Sequence, residues 1–374
     1  MRVVQIINSI RNPSAGPTHY VARLADELQK RGDNSLILTI GERPPDWAYT
    51  APLEAHSKLL ERSIGVSLAL LDKVRCQARL PSVLHGHGIW RATNLFPLLL
   101  NGRHPARIMI SPHGTLSPWS MRYKFLVKLP FWKALQKPAL DRSHCYHATA
   151  SAEYEDIRRV GLRGPVAMVP CGVDLPVLSE APRIKRMVYM GRIDPIKGVD
   201  ILIKAWCLAA EYFPDWELVI AGPLDNDYAA NMQRLANELR AQRLRFVGQV
   251  LGEVKRELLA TASLFVLPSH SENFAIAVAE ALAHGLPVIT TTGTPWKGLI
   301  DRNCGWRVPS NKDYLVSVFA DAMGRSTADL GEMGRRGRDW MASAYSWDGV
   351  TSHMRRTYHW LLHGGRRPDW IIVD

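Results

Sequence analysis

The sequence predicts an α/β fold of two doubly wound halves, each a parallel sheet flanked by helices. Three observations carry this. Short β-rich runs alternate with longer helical stretches, the pattern of parallel strands joined by crossover helices. The pattern restarts after a proline-rich polar connector around Asp174 to Lys185. And 374 residues exceed what a single core usually holds.

In the first half, Arg2 to Ser9 reads as a strand and "NPSAGP" as a loop. "THYVARLADELQKRG" reads as a helix with Thr18 as N-cap and Gly32 as its stop. "NSLILTI" is the next strand, and the runs opening at Val83, Ala106 and His144 are further short buried strands. One more strand precedes the connector. The second half opens with a strand at Met187 to Met190 and continues with "DWELVIAG", "LRFVG", "ASLFVLPS" and "LPVITTT". The domains are therefore expected at 1–178 and 179–345, with a C-terminal helix and tail at 346–374. That ending carries Trp347, Tyr358, Trp360 and Trp370, more aromatic surface than a free tail would expose.

The net charge is +12. Most of it comes from one block: Lys73 to Leu140 holds eleven Lys or Arg and no Asp or Glu. A field of one sign on one half argues for an anionic partner. The five cysteines are scattered, odd in number and without zinc spacing, which reads as free thiols in a reducing compartment. The N-terminus lacks the character of a signal peptide, and no apolar run approaches a spanning helix of roughly 20 residues. The expected location is the cytoplasm.

Two segments carry chemistry. In "LFVLPSHSENFAIAVAEALAHGLPVI" a strand gives way to a helix starting near Asn273 or Phe274, with Ser271 and Asn273 as cap candidates. Glu272 and Glu280 stand about two turns apart, about 12 Å by helix rise, among apolar residues. They can touch two ends of one extended ligand but not one metal ion. The N–H groups of Phe274 and Ala275 suit an anion or a sugar hydroxyl. In "MVYMGRIDPIKGVDILIKA" a strand ends at Gly191, and Arg192 and Lys197 follow with glycine beside each, a pair suited to a diphosphate.

With these segments together, the chain resembles the GT-B glycosyltransferases, specifically retaining family 4, over nearly its whole length. "GRIDPIKG" is similar to that family's diphosphate motif and "ENFAIAVAE" to its E-x7-E signature; "AGP" (Ala221 to Pro223) and "VPCGVD" (Val169 to Asp174) resemble its turns. The resemblance implies two Rossmann-like domains facing a central crevice, with the last helix crossing back onto the first. It implies that Arg192 and Lys197 neutralise a nucleotide diphosphate, that Glu280 meets the ribose, and that Glu272 meets the donor sugar beside Asn273, Phe274 and Ala275. Both carboxylates are expected to pair with hydroxyls rather than cations. Gly16, in "INSIRNPSAGPTHY", stands where family members usually carry two adjacent glycines; Ala15 occupies the other position. His113, in "ISPHGTLSPWS", is expected to contact the donor sugar near the reacting carbon. His85 and His87, in "LHGHGIW", rank lower on the expectation that both cannot face the crevice.

The implied reaction is transfer from a UDP- or GDP-type sugar with retention at the anomeric carbon. No metal or other cofactor is expected, and the Asp225-x-Asp227 spacing is set aside as fortuitous. The segment Trp119 to Lys137 interleaves five cations with five aromatics and no acid. Its alternation reads as amphipathic and suits the anionic inner face of a membrane, where a glycan or lipid-linked acceptor would sit. A solvated basic helix is the plainer alternative. Two rivals remain. A nucleotide-sugar 2-epimerase on the same fold would need no acceptor. A nucleic-acid-binding protein would explain the charge but leave Arg192, Lys197, Glu272 and Glu280 without a role, and no nucleic-acid partner is expected.

Overall fold

A computed structural model describes residues 1–12, 15–45, 47–57, 65–100, 104–123, 125–178 and 181–373. The chain divides into two compact units. One is Met1–Gly172 with Trp347–Asp374, the other Val173–Ser346. The lines fall after residues 172 and 346, not after 178 and 345 as the sequence predicts.

The first unit is built on strands β1 (Arg2–Ile7), β2 (Asn34–Ile40), β3 (Leu53–His56), β4 (Val83–His87), β5 (Arg107–Ser111), β6 (Cys145–Ala148) and β7 (Val166–Met168). The second contributes β8 (Arg186–Met190), β9 (Glu217–Ala221), β10 (Leu244–Gly248), β11 (Leu264–Leu267), β12 (Val288–Thr291) and β13 (Gly305–Val308). The two-residue β14 (Ile371–Ile372) returns to the first unit. The sheet orders are β14-β7-β6-β5-β4-β1-β2-β3 and β10-β9-β8-β11-β12-β13. Every adjacent pair is parallel except β14 against β7. In each sheet the winding reverses once, beside β1 and β4 in the first and beside β8 and β11 in the second. Ligands bind outside the carboxyl ends of strands at such reversals.

Strands buried on both faces read as continuous apolar runs, and Val3, Val4 and Ile6 in β1 and Leu264, Phe265 and Val266 in β11 are fully buried. The helix Gly16–Lys30 buries Tyr20, Val21, Leu24, Ala25 and Leu28 along one face. It starts two residues before the expected cap. Thr18 is buried inside its first turn, Ala15 precedes it, and Pro17 takes an early position where no N–H is needed. Gly32 stops it at φ 77° as expected.

The C-terminal helix Trp347–His363 packs inside the first unit. Arg31 bridges Asp348 at 2.5 Å and Arg355 bridges Asp33 at 2.5 Å. Trp347 covers Gly172 so closely that a Cβ there would lie 2.6 Å from its Cε3. Tyr358 is fully buried. Beyond the helix, Ile371 and Ile372 pair with Ala167 and Val166, and Trp370 Nε1 donates to Thr357 Oγ1 at 2.9 Å. Strands β3, β13 and β14 are additions to the sequence reading.

No helix among the described residues is long and apolar enough to cross a membrane. The basic segment forms short helices, Pro118–Arg122 and Phe125–Phe131, then a π-helical turn Trp132–Gln136, and then Lys137–Asp141. Pro130 interrupts it and Lys124 lies outside the described residues. Leu126 (83%), Val127 (75%), Tyr123, Phe125 and Trp119 are exposed together, whereas Trp132 turns into the core.

Candidate functional site

In the second unit, the loops after β8, β11 and β12 meet backbone to backbone. Gly191 closes β8 and its N–H donates to Ala221 O at 3.0 Å. His270 N–H donates to Ile196 O at 2.8 Å, and Glu272 N–H to Gly293 O at 2.8 Å. Two glycines permit this approach. Gly198 sits at φ 68°, and a Cβ there would strike Pro268 O; a Cβ at Gly293 would strike the His270 carbonyl. Asp194 caps the turn Pro195–Lys197 by accepting from Ile196 N–H at 3.2 Å, and Tyr189 Oη pins it from below by donating to Arg192 O at 2.6 Å.

This scaffold brings Lys197 and Glu272 together. Lys197 Nζ stands 2.5 Å from Glu272 Oε1, which also accepts from Ser269 Oγ at 2.7 Å. Both side chains are largely buried, at 16% and 9% exposed. Arg192 is 70% exposed, its Nη1 3.6 Å from Asp194 Oδ2, so its guanidinium can reach outward. Glu280 lies on the helix Ile276–Ala283 and accepts from Lys255 Nζ at 2.6 Å.

Two expectations are corrected here. The carboxylates do pair with cations, because lysines from β8's loop and from the helix Gly252–Thr261 fold back onto them. A half-buried carboxylate left alone would be costly. The helix starts at Ile276, not at Asn273 or Phe274, so Glu272 belongs to the loop. Ala275 is in the left-handed region (φ 62°, ψ 65°) and breaks the helical path, and neither Ser271 nor Asn273 caps it. Phe274 is buried edge-on against Trp296, whose Nε1 donates to the Phe274 carbonyl at 2.6 Å. Among the described residues, neither the Phe274 nor the Ala275 N–H donates a hydrogen bond.

Asp225 and Asp227 are exposed and flank Asn226, the N-cap of the helix Asp227–Glu238. Asp227 sits in the first helical turn, where a negative charge suits the helix dipole. No group of three or more His, Cys, Asp or Glu among the described residues could hold a metal ion.

In the first unit, Gly16 begins the helix Gly16–Lys30 at the reversal beside β1; residues 13 and 14 of its loop lie outside the described residues. His113 follows β5 in a left-handed turn (φ 52°) with Gly114, whose N–H donates to Glu153 Oε1 at 2.8 Å. It does not stand alone. His87 Nδ1 lies 3.0 Å from His113 Nε2, with the rings stacked 5.2 Å apart. His85, His87 and His147 are buried, and Tyr20 packs against His87, His113 and His147. The reason for placing His85 and His87 below His113 is corrected. Strand side chains repeat every two residues, so 85 and 87 share one face of β4, with their rings 4.1 Å apart. Burial first, then the neighbouring His147, pushes His113 down to about 3; burial takes His147 to about 4 and holds His85 and His87 well below the usual range. All four are neutral at pH 7.

Both halves match known sequence families. Residues 15–172 match the family described as "Glycosyl transferase 4-like domain", and residues 184–329 match "Glycosyl transferases group 1". The chain belongs to the family 4 glycosyltransferases of GT-B fold. Among its relatives is the phosphatidyl-myo-inositol mannosyltransferase of Mycobacterium leprae, 29% identical over 216 residues, which are 53% of this chain and 54% of that protein. The chain thus spans about half the length of the curated relatives it matches. Sucrose-phosphate synthase from Thermosynechococcus elongatus superposes with a TM-score of 0.78 at 20% identity, over 98% of this chain and all of that one. Anabaena HepE in complex with UDP and glucose superposes with a TM-score of 0.76 at 15% identity, over 96% of this chain and 99% of that one. At these identities the likeness is one of fold.

Proposed function

We propose that this glycosyltransferase moves a sugar from a nucleotide diphosphate sugar of the UDP or GDP type to a glycan or lipid-linked acceptor, with retention and without a metal ion. One observation carries the reading: Lys197 and Glu272 are held 2.5 Å apart where the loops of β8 and β11 converge, at the winding reversal. Arg192, exposed beside them, and Lys197 meet the diphosphate. As the glycosidic bond breaks, negative charge grows on the departing phosphate, and cations placed there favour the transition state over the ground state. Glu272, still held by Ser269, accepts from a donor-sugar hydroxyl, with Gly191, Asn273 and the amides of Phe274 and Ala275 around it. Glu280 accepts from the ribose hydroxyls and is oriented by Lys255. The same reading assigns Gly16 to donor binding and His113 to the donor sugar.

The inositol-lipid acceptor in the mycobacterial relative's name, and the UDP bound by the Anabaena protein, support a lipid-linked acceptor and a nucleotide donor. The exposed cluster of Trp119, Tyr123, Phe125, Leu126 and Val127 among basic residues supports docking of that segment on an anionic membrane surface at the cytoplasmic face. A thermal-shift screen against UDP-, GDP-, dTDP- and ADP-sugars tests the donor, since a ligand that binds only the folded state raises its melting temperature. Stabilisation by one nucleotide class, unchanged by EDTA, supports the reading. No shift with any of them, or a requirement for added Mn²⁺, would overturn it.

A further inference from the structure

The polar groups around the histidine cluster form one continuous chain, and its hydrogen bonds can run in only one direction. At one end His147 Nε2 lies 2.7 Å from Val169 O. A carbonyl only accepts, so Nε2 carries the proton and Nδ1 is bare. His147 Nδ1 lies 2.7 Å from Ser111 Oγ, which must therefore donate to it. Ser111 Oγ has then spent its proton and accepts from His85 Nε2 at 2.7 Å. His85 Nδ1 is left bare and accepts from Tyr358 Oη at 2.7 Å. Tyr358 Oη, its proton spent, can only accept from the Gln5 amide nitrogen at 3.5 Å. That fixes the Gln5 amide, which turns its Oε1 toward His87 Nε2 at 2.7 Å. His87 Nε2 donates, so His87 Nδ1 accepts from His113 Nε2 at 3.0 Å. Burial keeps every ring neutral, as the assignment requires.

We propose that Gln5, His87 and Tyr358 are positioning residues that lock His113 in its neutral Nε2–H form and leave its Nδ1 lone pair as an acceptor for a substrate hydroxyl. Among the described residues His113 Nδ1 has no hydrogen-bond partner, and part of the residue is exposed. A ring that faced substrate with Nδ1–H would repel the same donor. The device reaches across the unit. Tyr358 belongs to the C-terminal helix, more than 200 residues beyond His113 in the chain, and touches substrate nowhere in this scheme. This use of the Nδ1 lone pair rests on the glycosyltransferase reading above; the proton order does not.

The test is the tautomer of His113, read by long-range proton–nitrogen correlation on protein labelled with ¹⁵N-histidine. His113 is picked out of the 13 histidines by comparison with His113→Asn. The full-length wild type at neutral pH should show a bare Nδ1 and a protonated Nε2. Tyr358→Phe frees the Gln5 amide to flip, and Gln5→Met removes the acceptor of the His87 proton. Each should mix the two His113 tautomers. In each, bound donor must select the Nε2–H form, so donor KM should rise by the inverse of the fraction remaining in that form, about twofold for an equal mixture, with kcat little changed. A purely structural role would lower the melting temperature without mixing tautomers. An Nδ1–H or doubly protonated His113 in the wild type, which needs no variant to observe, overturns the proposal. So does a single unchanged tautomer in both variants. The expected tautomer in a protein that turns over no nucleotide sugar would sink the transferase reading and leave the relay standing.

Discussion

The histidine cluster makes the stability of the first unit depend on pH in a calculable way. In the unfolded chain a histidine takes up a proton near pH 6.5, whereas folded His113 and His147 do so only near 3 and 4. Between those limits unfolding takes up protons, so stability is complete above about pH 6.5 and falls as the pH drops. At pH 5.0 each of these two residues costs about 2 kcal/mol relative to pH 7.5. His85 and His87 shift in the same direction and add to the loss. A total of about 4 kcal/mol or more corresponds to a melting temperature lower by about 8–16 °C for a unit of this size. The assay is thermal unfolding by circular dichroism at pH 7.5 and 5.0, on the wild type and on His113→Asn. The variant, with one titrating group fewer, should lose about 2 kcal/mol less between the two pH values. A wild-type melting temperature that is flat over this range would refute the reasoning, as would an equal fall in the variant.

Other outcomes follow from single contacts. Gly172→Ala places a methyl group against the Trp347 ring and should lower stability by about 1–3 kcal/mol in a denaturant titration, with unchanged circular dichroism at zero denaturant. Glu280→Ala should weaken nucleotide-sugar binding at least tenfold by calorimetry while the turnover of saturated enzyme changes less, because the ribose lies far from the reacting carbon. Truncation after Gly365 removes Trp370 and the buried Ile371 of β14, a loss of about 1.5–3 kcal/mol for each buried side chain, and should lower the melting temperature measurably; an unchanged value would make the tail an appendage.

Much of the fold is legible in the sequence because buried parallel strands announce themselves. "LFVL" is apolar without interruption and "RVVQII" and "NSLILTI" are mostly so, and the glycines and prolines between them mark the turns. What the sequence does not show is short or marginal: β3 and β13 are mostly half-exposed, and β14 has two residues. At the site, the residue types at strand ends point to Arg192, Lys197, Glu272 and Glu280. Their pairing does not show, because Lys197 meets Glu272 across 75 residues and Lys255 meets Glu280 across 25. The helix start is not legible because Ala275 carries no signal for its left-handed conformation, as glycine or asparagine would. The histidine cluster could have been found. "LHGHG" puts two histidines two residues apart on a buried strand, which places them on one face, and buried polar rings need partners.

Arg192 and Lys197 are proposed to meet the charge that grows on a departing nucleotide. Acceptor-dependent release of UDP or GDP, followed for the wild type and for Lys197→Ala, tests this role most directly. Removing the ammonium that meets the leaving phosphate should lower kcat by about 10² or more, in a protein whose circular dichroism still matches the wild type. Near-normal nucleotide release by folded Lys197→Ala would contradict it.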